Sequence, residues 1–125
     1  AADAVMTAHV YHRDLDPDHP ATLSKSIIRD LLRDQLHFKG VVVSDDMQMG
    51  AVAHFYGLEE ALRLAINAGV DLIALSNNTL YERDIVPCSV SAIAGMVEDG
   101  RIPRERIESS CSRIARLRAD LESRL

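Results

Sequence analysis

The chain has 125 residues, 47% hydrophobic and 26% charged, with aromatics at only 4% and no Trp. That is enough for one globular domain, with a core built from Leu, Ile, Val, Ala and Met. The formal charge of −5 comes without a basic stretch that would mark a nucleic-acid partner, and no apolar run reaches the roughly 20 residues of a membrane span.

Ala4 to Val10 is a short apolar run holding His9, and it reads as a buried strand. Tyr11 to Thr22 carries two prolines, three aspartates and two histidines and reads as a loop, too short at residues 16–20 to be a domain linker. Ser24 stands where an N-cap belongs. Ile27, Ile28, Leu31, Leu32 and Leu36 then recur at helical spacing. Gly40 closes that element as a C-cap or turn. Val41 to Val43 are three β-branched residues in a row, the pattern of a strand covered on both faces in a parallel sheet.

A second helix is expected from Leu58, with Glu59 and Glu60 in its first turn, where carboxylates suit the helix dipole. Gly69 stops it. Asp71 to Leu75 reads as a third strand, ending at Ser76, Asn77 and Asn78. Cys88 to Glu98 reads as a third helix with Val90, Ile93, Ala94 and Val97 inward. Pro103 fits the first position of a last helix, whose inward stripe is Ile107, Cys111, Ile114, Leu117 and Leu121. Cys88 and Cys111 form no motif and are expected as small buried hydrophobes or free thiols. The order strand–helix, three times over, plus a terminal helix implies an α/β fold: parallel strands alternating with helices.

In parallel βα folds ligands meet the carboxyl ends of the strands. That rule selects His9 to Arg13, Ser44 to Gln48, and Ser76 to Asn78. The middle segment is richest, because two adjacent carboxylates, Asp45 and Asp46, leave a fully apolar strand. Adjacent strand residues point to opposite sides, so the two are expected to differ in role. His12, Asp14, Asp16, Asp18 and His19 fit no zinc or calcium spacing and read as a solvated loop; no metal and no cofactor are expected.

The stretch Phe38-Lys39-Gly40-Val41-Val42-Val43-Ser44-Asp45-Asp46-Met47-Gln48-Met49-Gly50 resembles the nucleophile segment of family 3 glycoside hydrolases, in the form typical of the β-N-acetylglucosaminidase (β-N-acetylhexosaminidase-like) branch. Pro20-Ala21-Thr22-Leu23-Ser24, Leu31-Leu32-Arg33 and Ala68-Gly69-Val70-Asp71 resemble further motifs of that family, in the same order. The resemblance implies that residues 1–125 are the C-terminal part of a (β/α)8, TIM-type catalytic barrel: three βα units and a terminal helix. It also implies a retaining glycosidase acting on terminal β-linked N-acetylglucosamine or a related β-glycoside, such as a cell-wall fragment. The family nucleophile falls on Asp45. Asp46, His9, Met47 and Asn77 are the candidates for substrate contact. The branch's acid/base, a His paired with an Asp in a "K-H-F-P-G-H-G" region, has no counterpart in residues 1–125, so the chain alone is expected to be inactive. Strands cut from a closed barrel also leave unpaired edges, so self-association is expected.

Two rivals remain. A phospho-receiver domain has an apolar strand ending in Asp, but it also needs a Lys after that strand, and Lys25 and Lys39 both precede Asp45. A non-catalytic binding or structural remnant of the same fold differs from the enzyme in gene context more than in residues. No export signal is visible at Ala1, and the residues leave the compartment open.

Overall fold

The computed structural model describes residues 2–78 and 81–125. Three parallel strands, β1 (Ala4–Met6), β2 (Val41–Asp46) and β3 (Leu72–Ala74), form one sheet in the order β1-β2-β3. Helical segments connect them. A 3-10 turn (Ala21–Leu23) and a π-helix (Ser26–Gln35) join β1 to β2. Helices α1 (Gly50–Tyr56) and α2 (Leu58–Ala68) join β2 to β3. Helices α3 (Ile85–Glu98) and α4 (Arg104–Ser123) follow. The α/β class and the partial-barrel architecture therefore match the expectation.

β2 is the centre of the sheet because its residues are the most apolar. Val41 and Val42 are fully buried, and Val42 packs with Leu23, Ile28, Met47 and α2's Ala61 and Ala65. Alanine at those two α2 positions lets the helix approach the strand closely. Each fully buried Ile or Val contributes about 1.5–3 kcal/mol relative to exposure. A second cluster joins α2 to α3 through Leu62, Ile66, Met96 and Ile102.

The loop before the π-helix is built from side chains. Asp16 Oδ1 accepts the Asp18 and His19 N–H groups, both at 3.0 Å. Its Oδ2 accepts the Ser24 hydroxyl at 2.6 Å, and Ser24 Oγ in turn accepts the Ile27 N–H at 3.1 Å. Ser24 is thus the helix cap its sequence position suggests. Asp16 is buried, so this part of the loop is a packed anchor and not the solvated turn expected.

Several boundaries and faces differ from the sequence reading. β1 stops at Met6, short of Val10. Helix α1 was not expected; only its Val52 is buried, so it lacks a periodic stripe to announce it. Leu36 is exposed because the first long helix is a π-helix, with Leu36 N–H donating to Leu31 O five residues back at 2.9 Å. That wider turn rotates Leu36 off a stripe drawn at α-helical spacing. Helix α3 begins at Ile85, and it turns Ser89 and Met96 inward while Val90 and Ala94 face outward. On α4 the side packed most deeply carries Arg106, Ser110 and Arg113, with Cys111 and Leu121 exposed. Both cysteines are free and exposed, so of the two expected alternatives they are free thiols and not buried hydrophobes.

The reason for the polar α4 face is Asp71, whose side chain is completely buried just before β3. Its Oδ2 accepts the Val42 N–H at 3.0 Å and pairs with Arg33 at 2.6 Å. Its Oδ1 accepts the Ser110 hydroxyl at 2.7 Å and pairs with Arg113 at 3.0 Å and Arg106 at 3.1 Å. Burial pushes the Asp71 carboxyl up, but the Val42 N–H, the Ser110 hydroxyl and the arginines outweigh it and hold the carboxyl below the usual carboxylate range. One carboxylate therefore ties the π-helix, β2, β3 and α4 together at the amino ends of the strands.

Candidate active site

At the opposite, carboxyl ends, β2 delivers Asp45 and Asp46. The register between β2 and β3 is irregular here: Val43 pairs with Leu72 and Asp46 with Ala74, so Ser44 and Asp45 oppose Ile73 alone. This is a β-bulge, a device that re-aims side chains and is enriched beside active sites. Ser44 stabilises it. Its buried hydroxyl accepts the Ala74 N–H at 2.9 Å, supplying a partner that the ladder lacks there.

The two carboxylates have different surroundings. Asp46 is tied to both neighbouring strands. Its Oδ1 accepts the Gln48 and Ser76 N–H groups at 3.1 and 3.0 Å, and its Oδ2 accepts the Ser76 hydroxyl. Its carbonyl oxygen accepts His9 Nε2 at 2.8 Å. Burial raises the Asp46 carboxyl, but the Ser76 hydroxyl and the Ser76 and Gln48 N–H groups more than offset this, so it stays below the usual range. Asp45 is half-buried, and its Oδ1 accepts the Asp46 N–H at 2.8 Å. Among the described residues its Oδ2 takes no hydrogen bond.

A carbonyl only accepts, so His9 Nε2 is the donor in this contact. Its Nδ1 is buried and has no partner among the described residues. Asn77 sits in the left-handed region at φ 54°, and its N–H donates to Gln48 Oε1 at 2.6 Å. Its carboxamide clasps Glu82, accepting the Glu82 N–H at 2.8 Å and donating to the Glu82 carbonyl at 3.1 Å. Met47 is fully buried in the core beneath the turn. A cavity of about 430 Å³ opens beside the turn, lined by Met47, Gln48, Ala53, His54, Leu58 and Ile85 among others.

The structure thus brings His9, Asp45, Asp46 and Asn77 to one end of the sheet, as their positions after the strands suggest. Ser76 and Gln48 were not singled out from the sequence, although both fall in segments selected by the strand-end rule. His54 was missed because it lies on the unexpected helix α1. Among the described residues no group of three or more His, Cys, Asp or Glu side chains is placed to hold a metal ion.

A parallel α/β sheet with paired carboxylates at its carboxyl edge defines the class of fold and site. The glycosyl hydrolase family 3 N-terminal domain model matches residues 1–117, and the chain belongs to that family. Beta-hexosaminidase A of Pseudoalteromonas piscicida is 31% identical over 132 aligned positions, covering 94% of this chain and 22% of that protein. A family 3 beta-N-acetylglucosaminidase from Paenibacillus sp. str. FPU-7 superposes with a TM-score of 0.86 at 43% identity, covering 95% of this chain and 22% of that structure. The beta-N-acetylglucosaminidase from Thermotoga maritima gives 0.84 at 35% identity, covering 93% and 25%. Against its curated relatives the chain spans only 22% of the length of two and 23% of a third.

Proposed function

We propose that residues 1–125 form the C-terminal, nucleophile-bearing part of the barrel of a retaining β-N-acetylglucosaminidase, with Asp45 as the nucleophile. The observation that carries this reading is the contrast between the two adjacent carboxylates. Asp46 spends both oxygens on Ser76 and Gln48, whereas Asp45 is oriented through Oδ1 and its Oδ2 takes no hydrogen bond among the described residues.

In this reading Asp45 Oδ2 attacks the anomeric carbon, and the bond to the leaving oxygen breaks as that oxygen gains a proton. The result is a covalent glycosyl-enzyme, which water then hydrolyses with retention. The proton donor comes from residues outside 1–125. Asp46 and His9 act as positioning residues: the first holds the bulge against β3, and the second holds the Asp46 carbonyl from β1's side. Met47 supports the turn from below. Asn77 shapes the rim through its clasp on Glu82. The substrate is a carbohydrate with a terminal β-linked N-acetylglucosamine, a choice supported by what the relatives above are named for.

Kinetics test the assignment. In the intact enzyme Asp45→Asn is expected to lower kcat by at least about three orders of magnitude, with folding unchanged. The 125-residue chain by itself is expected to release no chromophore from a chromogenic N-acetylglucosaminide beyond its Asp45→Asn control. Near-normal turnover by the Asp45→Asn enzyme would refute the nucleophile.

A further inference from the structure

Far from Asp45, at the amino ends of the strands, a cavity of about 290 Å³ lies between the π-helix, the end of α2 and α4. Its walls carry Arg29, Arg33, Arg106 and Arg113, with Asp34 as the one acidic lining residue. Asp71 lies behind the arginines, already shared by three of them. Four guanidinium groups therefore face two carboxylates.

The arginines are not equally occupied. Arg33 donates to the Phe38 and Gly40 carbonyls at 3.2 and 2.8 Å as well as to Asp71. Arg106 donates to the Ile66 and Val70 carbonyls, both at 2.8 Å, and to Ser110 and Asp71. Those two are spent on the fold. Arg113 reaches Asp71 through Nη1 alone, and its Nε and Nη2 have no acceptor among the described residues. Arg29 is exposed and has no acceptor among them either. Burial pushes the Arg33 guanidinium below its ordinary value, Asp71 opposes this, and the neighbouring Arg113 and Arg106 lower it further. Like charge is crowded here without full compensation.

We propose that this cavity is a binding site for a small tetrahedral oxyanion of the phosphate class, held by Arg29 and the free edge of Arg113. Arginine suits the task because its planar fork presents parallel N–H donors to two oxygens of such an anion. The site is separate from the carboxylate end of the sheet, so its occupant stabilises the junction of the π-helix, α2 and α4 and takes no part in glycoside cleavage. The charge balance also limits the ligand: Asp34 on the rim repels anions, so affinity is modest and rises if Asp34 is neutralised.

Calorimetric titration of the intact protein with inorganic phosphate, and separately with a sugar phosphate, tests this at ionic strength held constant with chloride. At least one of the two is expected to bind saturably and to raise Tm beyond the matched chloride control. Arg29→Ala, which removes an exposed side chain with no hydrogen-bond or ion-pair partner among the described residues, is expected to weaken binding about tenfold while leaving the ligand-free Tm unchanged. Asp34→Asn is expected to tighten it. Absence of saturable binding for both ligands, or equal binding by Arg29→Ala, would overturn the proposal.

Discussion

Ser76 donates both its hydroxyl and its backbone N–H to the carboxylate of Asp46, bridging the ends of β3 and β2. The pair closes the bulge that presents Asp45, so its loss is expected to act on Asp45 through position. Asp46→Ala removes charge-assisted hydrogen bonds worth about 2 kcal/mol in sum after the loss of solvation is counted. Urea unfolding of the variant is expected to show that loss. Its kcat in the intact enzyme is expected to fall about tenfold, far less than for Asp45→Asn. A fall as deep as that of Asp45→Asn would mean the roles of the two carboxylates are exchanged.

Asp71 makes the strongest prediction about stability. Asp71→Asn leaves Arg33, Arg106 and Arg113 without their shared counter-charge in a buried setting, which costs about 3–5 kcal/mol. The exposed Arg124–Asp3 pair is the control, since disrupting it with Arg124→Ala is expected to cost less than about 1 kcal/mol. The pH dependence follows from the depressed carboxyl. The unfolded chain, with an Asp value of about 3.9, binds the proton first as pH falls. The Asp71 contribution is therefore complete above that value and is lost as pH drops toward the lower folded value. Unfolding midpoints measured from pH 7 downward are expected to fall in that acid window, with the slope reduced in Asp71→Asn.

Gly40 tests the packing of β2 against β1's entry. A Cβ there would meet Asp3 O at 2.4 Å and the Phe38 ring at 2.6 Å. The backbone oxygen cannot move without disturbing the β1–β2 pairing that Asp3 also serves by accepting the Val41 N–H at 3.1 Å. Gly40→Ala is expected to destabilise by about 1–3 kcal/mol. An unchanged denaturation midpoint would show that Asp3 can give way.

Self-association is the expectation that follows from the two sheet edges. β1 and β3 each pair with β2 alone among the described strands, and Met6 on β1 is 65% exposed. Light scattering of the 125-residue chain is expected to give a mass above 13.8 kDa that falls with dilution. A monodisperse monomer at high concentration would contradict it.

The strand order and the position of Asp45 were legible because β2 is locally unambiguous: three valines, then two carboxylates, where a parallel sheet places its chemistry. The π-helix was not, since its hydrogen bonds skip one residue further than the spacing used to read it, and Leu36 turned outward as a result. Helix α4 misled more deeply. Its apolar stripe is real in the sequence, but Asp71, on the preceding strand's lead-in, draws Arg106, Ser110 and Arg113 inward. Nothing within α4 reveals that attraction, because it depends on a residue 35 positions from Arg106. At the site, Asn77 reads equally as a donor to a sugar hydroxyl and as a turn former, and the structure adds a φ of 54° and a clasp on Glu82, which no local pattern announces. The bulge that separates Asp45 from Asp46 is a property of pairing with β3 and has no local signal.

Covalent trapping tests the assignment of Asp45 most directly. The intact enzyme would be incubated with an activated fluorinated N-acetylglucosaminide that forms the glycosyl-enzyme quickly and releases it slowly. It would then be digested with trypsin. The label is expected on the peptide spanning residues 40–63, with fragmentation placing the added sugar on Asp45 and none on Asp46. A label on Asp46, on a residue outside this peptide, or no covalent adduct in an enzyme that the reagent inactivates, would contradict the account.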